Sequence, residues 1–286
     1  MMAVQNSLTK NSRQRLGLAA FLNSEKVLVN ISQALGKENK QRFITGVISA
    51  VNNNPALQGC TNQSILSGAL LGESLKLSPS PQLGQYYLVP FNDREKGMVA
   101  QFQLGYKGYI QLAIRSGQYK KLNVLAIKEG ELIRFDPLNE EIEVKLIEDE
   151  EQREQAATIG YYAMFEYVNG FKKALYWSKR KMEAHALKYS KGYANDKKKG
   201  TTWTFWSRDF DGMAYKTMLR QLISKWGIMS IDMITAMDAD MTVINEDGTK
   251  DYVDNAPEDE PAVIDAEVVE PVEQPDNGAA DALFGK

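Results

Sequence analysis

In "DGMAYKTMLRQLISKWG", Lys216, Thr217, Arg220 and Ser224 recur at helical spacing. They fall within an arc of about 100°, two cations and two hydroxyls in a row suited to phosphate oxygens. Tyr215, Met218, Leu219, Leu222, Ile223 and Trp226 form an apolar stripe on the same helix. The polar row is therefore expected in solvent, with Lys216 and Arg220 removable without harm to the fold; a plainly solvated basic face is the other reading. A second helical stretch, "WSKRKMEAHALKYS", places Lys179, Arg180 and Lys181 in its first turn. The helix dipole is already positive there, so the three cations are unfavourable unless an anion binds.

"GYKGYIQLAIRSGQYKK" repeats the theme. Tyr106, Ile110, Ala113 and Ile114 mark a buried face, Lys107, Gln111 and Arg115 line the other side, and Lys120 and Lys121 follow. Gly105 and Gly108 permit close backbone approach, either to phosphates or to a neighbouring sheet. Between the second helix and the first lies "SKGYANDKKKGTTWTFWSR". It alternates Lys191, Lys197, Lys198, Lys199 and Arg208 with Tyr193, Trp203, Phe205 and Trp206, and Gly192 and Gly200 give it mobility. Cations that track a backbone among aromatics that pack on bases suit a nucleic-acid single strand; a loop anchored by its own tryptophans is the competing account.

Other chemistry is missing. Neither Gly-Lys pair, Gly36-Lys37 or Gly285-Lys286, has the upstream glycine of a nucleotide-binding loop, and there is no G-x-G-x-x-G or H-E-x-x-H. One cysteine, Cys60, and one histidine, His185, exclude an internal disulfide and a finger-type zinc site. No cofactor is expected. Asp209 and Asp211 suggest metal ligands of a nuclease, but Asp211 is better read as a helix cap and Asp209 as a partner for Arg208.

The elements that position these residues are of two kinds, which makes the fold class α+β. Residues 1–77 read as an N-terminal helical region: "SEKVLVNISQALG" and "KENKQRFITGVISAVNNNP" end at Gly36 and before Pro55, and a third helix is capped by Thr61 or Asn62. Residues 78–237 form the core. "QYYLVPF" and "MVAQFQL" pair as one hairpin of a central antiparallel sheet, and Asn169-Gly170 turns another. Residues 238–286 carry fifteen carboxylates against Lys250 and Lys286, a net of −13 that leaves +10 on residues 1–237 of a chain whose total is −3. The body is basic, as for a polyanion binder, and the acidic tail is expected to be largely disordered, with "AVIDAEVV" as a short docking element or as mere solubiliser. No apolar run is long enough for a membrane span or a signal peptide, so the cytoplasm is the expected location.

The segment "YYLVPFNDREKGMVAQFQLGYKGYIQLAIRSGQYKKLNVLAIKEGELIRF" resembles the RecT family of bacteriophage single-strand annealing proteins, and the similarity extends through "GMAYKTMLRQLISKW" to cover most of residues 30–230. The resemblance implies ATP-independent annealing of complementary strands in a bacterial host cell. It also implies rings or helical filaments, with contacts between copies through residues 1–77. A phage exonuclease and the host single-strand-binding protein are the implied partners beside single-stranded DNA and the annealed duplex. On that reading Lys107, Arg115, Lys120, Lys121, Lys179, Arg180, Lys181, Arg208, Lys216 and Arg220 cradle phosphates, with Lys191, Lys197, Lys198, Lys199 and Thr217 beside them. Phe210 would wedge between bases. The rival classes are a single-strand binder that does not anneal, a metal-dependent nuclease, and a scaffold for an acidic protein.

Overall fold

The structure, a computed structural model, describes residues 17–93 and 95–252. Helices come first: α1 Leu18–Leu22, α2 Glu25–Leu35, α3 Lys37–Asn53, a 3-10 turn at Pro55–Gly59, and α4 Asn62–Ser74. The middle of the chain then alternates β1 Tyr86–Asp93, β2 Gly97–Leu104, α5 Tyr106–Arg115, β3 Tyr119–Lys128, β4 Leu132–Asp136, β5 Glu141–Val144, α6 Glu150–Gln155, β6 Thr158–Tyr167 and β7 Lys172–Ser178. The last third holds α7 Lys179–Tyr189, α8 Lys191–Lys199, α9 Phe205–Arg208, α10 Phe210–Trp226, α11 Ile231–Ala239, β8 Thr242–Ile244 and β9 Lys250–Tyr252. The fold is α+β.

Local signals account for the boundaries. Thr61 caps α4 by accepting from Ser64 N–H, and the glycine at position 36 separates α2 from α3 at φ +78°. Both expected hairpins form. β1 and β2 pair in register from Tyr86 opposite Leu104 to Asp93 opposite Gly97. Between β6 and β7, Gly170 takes φ +87° and Asn169 Oδ1 accepts from Phe171 N–H, the turn chemistry that Asn-Gly supplies. Three antiparallel sheets result, ordered β1-β2-β8-β9, β3-β6-β7 and β4-β5.

One buried apolar cluster runs from Leu22, Ile31 and Val47 in the N-terminal helices through Phe102, Tyr161 and Phe165 to Leu219 and Met233. The N-terminal helices thus share a core with the strands. α10 packs across β3, β6, β7 and α5. Gly105 and Gly108 lie where α5 crosses the chain before β1; a Cβ on either would fall on the carbonyl oxygen of Gly84 or Gln85. Their close approach is to backbone.

The buried face of α5 is Gly108, Tyr109, Leu112 and Ala113, while Ile114 is 59% exposed. The face sits about one position away from the stripe expected at Tyr106, Ile110, Ala113 and Ile114, because the sheet and α10 take the Tyr109 side. A larger correction concerns the start of the tail. Residues 238–252 belong to the fold: Asp240 is fully buried, and β8 pairs with β2 at Phe102 opposite Thr242. The remaining acidic run, with "AVIDAEVV", lies outside the described residues. Among the described residues no helix is long and apolar enough to cross a membrane.

Candidate nucleic-acid interface

The chain leaves β7 directly into α7 through Ser178, whose Oγ accepts from Lys181 N–H at 3.2 Å. Lys179, Arg180 and Lys181 occupy the exposed first turn as expected, and no acidic residue shares that turn. Lys181 Nζ lies 4.5 Å from the Trp177 ring centroid, which holds one of the three against the surface. α8 begins at the Ser190 cap and ends at Gly200 in the left-handed region, placing Lys197, Lys198 and Lys199 in its last turn. Cations are favourable at that negative end. Lys197 Nζ reaches Glu183 Oε1 of α7 at 2.9 Å, ties the two helices, and holds the Glu183 carboxyl below its usual range. Lys191, Lys198 and Lys199 are exposed.

His185 packs edge-on against Trp177 and at a tilt against Tyr189, at 5.3 and 4.6 Å between centroids. Burial lowers its pKa, and Lys188, Arg220 and Lys181 lower it further. The imidazole is thus biased toward its neutral form, chiefly by burial and secondarily by these nearby cations.

A second group of cations lies at the start of β3. Lys120, Lys121 and Lys172 of β7 all surround the buried carboxylate of Glu166 on the strand between, β6, at 2.7, 3.7 and 3.6 Å. The hydrogen bond from Lys120 lowers the Glu166 pKa. Three exposed ammoniums on one carboxylate leave net positive charge at the surface. Lys172 was not among the residues singled out from sequence, although "NGFKKA" puts it just past the hairpin turn. Lys107 and Arg115 are exposed on α5, as expected, and Arg115 donates to the carbonyl of Leu75 at 2.7 Å.

Several expectations are overturned. Lys216 and Thr217 are buried, not solvated: Lys216 Nζ bonds Asp240 Oδ1 at 2.8 Å, and Thr217 Oγ1 donates to the carbonyl of Met213. Arg220 is partly exposed and pairs with Asp240 Oδ2 at 2.8 Å, while Leu104 N–H donates to Asp240 Oδ1. The cause is a second layer, formed by α5 and the segment after α11, that covers the side of α10 left polar by its own period. Asp240 itself went unnoticed because it fell within the stretch assigned to the tail; the apolar run "MTVI" after it was the available signal.

The loop expected at residues 190–208 is largely helical, and its aromatics divide. Tyr193 and Trp206 are buried, Phe205 packs on Tyr87 at 5.3 Å, and Trp203 is exposed. Phe210 is half-buried and packs against Tyr161, Tyr193 and Trp206. Asp209, rather than Asp211, caps α10 by accepting from Gly212 N–H, and Asp211 accepts from Tyr161 Oη at 2.6 Å. Both carboxylates are thus used structurally, and among the described residues no three His, Cys, Asp or Glu side chains group as a metal site.

The structure therefore gathers Lys179, Arg180, Lys181, Lys191, Lys197, Lys198, Lys199 and Arg208 on α7, α8 and α9, places Lys120 and Lys121 beside Lys172, and withdraws Lys216 and Thr217. Residues 41–259 match the RecT family, three quarters of the chain. The chain belongs to the RecT family. The matched span runs past Met237, in keeping with a fold that includes α11, β8 and β9. This RecT-family chain is 38% identical to the uncharacterized protein YqaK of Bacillus subtilis (strain 168) over 293 aligned positions, covering 99% of this chain and 94% of that one. It is 29% identical over 225 positions to Protein RecT of Escherichia coli (strain K12), covering 77% and 79%. RecT-family membership assigns the chain to single-strand annealing in DNA recombination.

Proposed function

We propose that this RecT-family protein holds single-stranded DNA by its phosphates and pairs it with a complementary strand without nucleotide hydrolysis. The observation that carries the reading is the start of α7, where three exposed cations face the positive end of a helix dipole with no acidic residue in the turn. An anion at that end turns an unfavourable arrangement into a favourable one. Lys191, Lys198, Lys199 and Arg208 extend the basic surface, and among the described residues Arg180, Lys191, Lys198 and Lys199 make no ion pair. Contacts to phosphates are independent of sequence, and they leave base edges free for pairing. Self-assembly into rings or filaments, an exonuclease and a host single-strand-binding protein as partners, a phage origin and a bacterial cytoplasmic setting complete the proposal.

The test mixes labelled complementary oligonucleotides with the protein and no nucleotide. Faster duplex formation than in buffer is expected. Binding without faster pairing indicates a coating protein instead, and a strict ATP requirement overturns the mechanism. If about six phosphates are neutralised per binding unit, affinity falls by roughly 10² to 10³ between about 50 and 200 mM salt. Replacing Lys179, Arg180 and Lys181 together by alanine, all exposed, is expected to preserve folding and to lower the salt slope by about two.

A further inference from the structure

We propose that Trp203 is a stacking platform for one unpaired nucleobase of the bound strand, with Arg208 on the phosphate of the same nucleotide. The inference rests on the reading of this chain as a single-strand binder and adds a site for the base to the sites for phosphate. Trp203 is 76% exposed, the most exposed aromatic side chain among the described residues, whereas Tyr193 and Trp206 from the same stretch are 3% and 7% exposed. An indole left in water is unusual.

The segment around it is fixed by Asp196. Its buried carboxylate accepts from Thr201 Oγ1 at 2.6 Å, Thr204 N–H at 2.8 Å, Thr204 Oγ1 at 2.9 Å and Ser207 Oγ at 2.7 Å, and its carbonyl accepts from Thr201 N–H at 3.0 Å. The backbone is thereby fastened on both sides of Trp203. The backbone that carries the ring is therefore fixed before a strand arrives, which lowers the ordering cost of using it. Arg208 Nε donates to the carbonyl of Thr202 at 2.9 Å, which sets the guanidinium beside the residue preceding the indole and leaves its terminal amino groups for a phosphate.

Both side chains line a cavity of about 460 Å³ whose wall includes Phe91, Phe205 and the amides of Gln101 and Gln103. Gln101 donates to the carbonyl of Met241 and accepts from Gln103, so the floor is polar and fixed. A cavity of that size admits a base with its sugar. Stacking accepts any base, because each has a π face, and it leaves the pairing edge free for a second strand.

The experiment compares the full chain with Trp203→Ala, Trp203→Phe and Arg208→Ala. Fluorescence anisotropy is measured with a thymine oligonucleotide and with an abasic strand of equal length. The expected result is a loss of about tenfold for W203A on the thymine strand, substantial recovery for W203F, an unchanged salt slope for both, and equal binding of W203A and the parent protein to the abasic strand. R208A is expected to lower the salt slope by about one. Circular dichroism of each variant serves as the folding control. Unchanged binding of W203A to the thymine strand, or an equal loss on the abasic strand, overturns the stacking site while leaving the proposed function standing. A change in self-association with no change in DNA affinity overturns it too, in favour of a protein contact. Failure of the parent protein to bind either strand overturns both readings.

Discussion

Asp196 illustrates how a single buried carboxylate fixes the chain around it. Burial pushes its pKa up, but the hydrogen bonds from Thr201, Thr204 and Ser207 outweigh burial and hold the carboxyl well below the usual range. A folded-state pKa below the unfolded value of about 3.9 means that the charge contributes stability above that pH, and that the contribution is lost as pH falls toward the folded pKa. Asp196→Asn is therefore expected to lower the urea midpoint by a constant amount between about pH 6 and 8, with the gap to the parent protein narrowing below about pH 4. A pH-independent gap would assign the effect to shape alone. The same variant loosens the 200–204 segment and is expected to weaken any binding that depends on Trp203.

At the scale of elements, α10 is the helix on which the reading of function changes most. Its buried Lys216 and partly exposed Arg220 converge on Asp240, and the carboxylate also accepts from the β2 backbone at Leu104. Three elements are thus pinned at one anion. Breaking a buried pair leaves a charge without its partner, so Asp240→Ala is expected to cost about 3–5 kcal/mol and Lys216→Ala a similar amount. Urea unfolding measures both, and a Lys216→Ala protein of unchanged stability would show that the pair is not formed in solution. Loss of DNA binding in these variants reports a damaged fold, whereas loss in variants at the α7 start reports a lost contact. The comparison separates the two kinds of lysine.

On the scale of the whole molecule, the charge division falls later in the chain than residue 237. Residues 253–286 hold ten carboxylates and one lysine, which leaves +6 on residues 1–252. A chain ending at Met237 lacks Asp240 and the β8 strand that pairs with β2, and it is expected to unfold at lower temperature or to fail to fold. A chain ending at Asp254 is expected to melt like the full-length protein and, at low salt, to bind oligonucleotide modestly more tightly, since tethered carboxylates compete with phosphates. The gain disappears near physiological ionic strength, where screening acts over about 8 Å. Thermal melts by circular dichroism, with anisotropy at two salt concentrations, check both statements; equal stability of the two shortened chains would show that residues 238–254 are dispensable to the fold.

The α+β class, the helices α2 to α4, both hairpins and the basic start of α7 were legible in the sequence, because periodicity, caps such as Thr61, and the Asn169-Gly170 turn act over a few residues. The absence of a nucleotide-binding loop is a statement about sequence alone and needed no fold. What required the tertiary structure was which polar groups meet water. Lys216 and Lys198 look alike in the sequence, yet one is enclosed by α5 and the segment after α11 and the other is open. A helix packed on two sides and a helix at the surface can share one period, because period describes how a helix repeats and not what lies against it. Trp203 and Trp206 differ for the same reason: Trp206 packs against Tyr193 and Phe210, while Trp203, three residues earlier, is left in solvent.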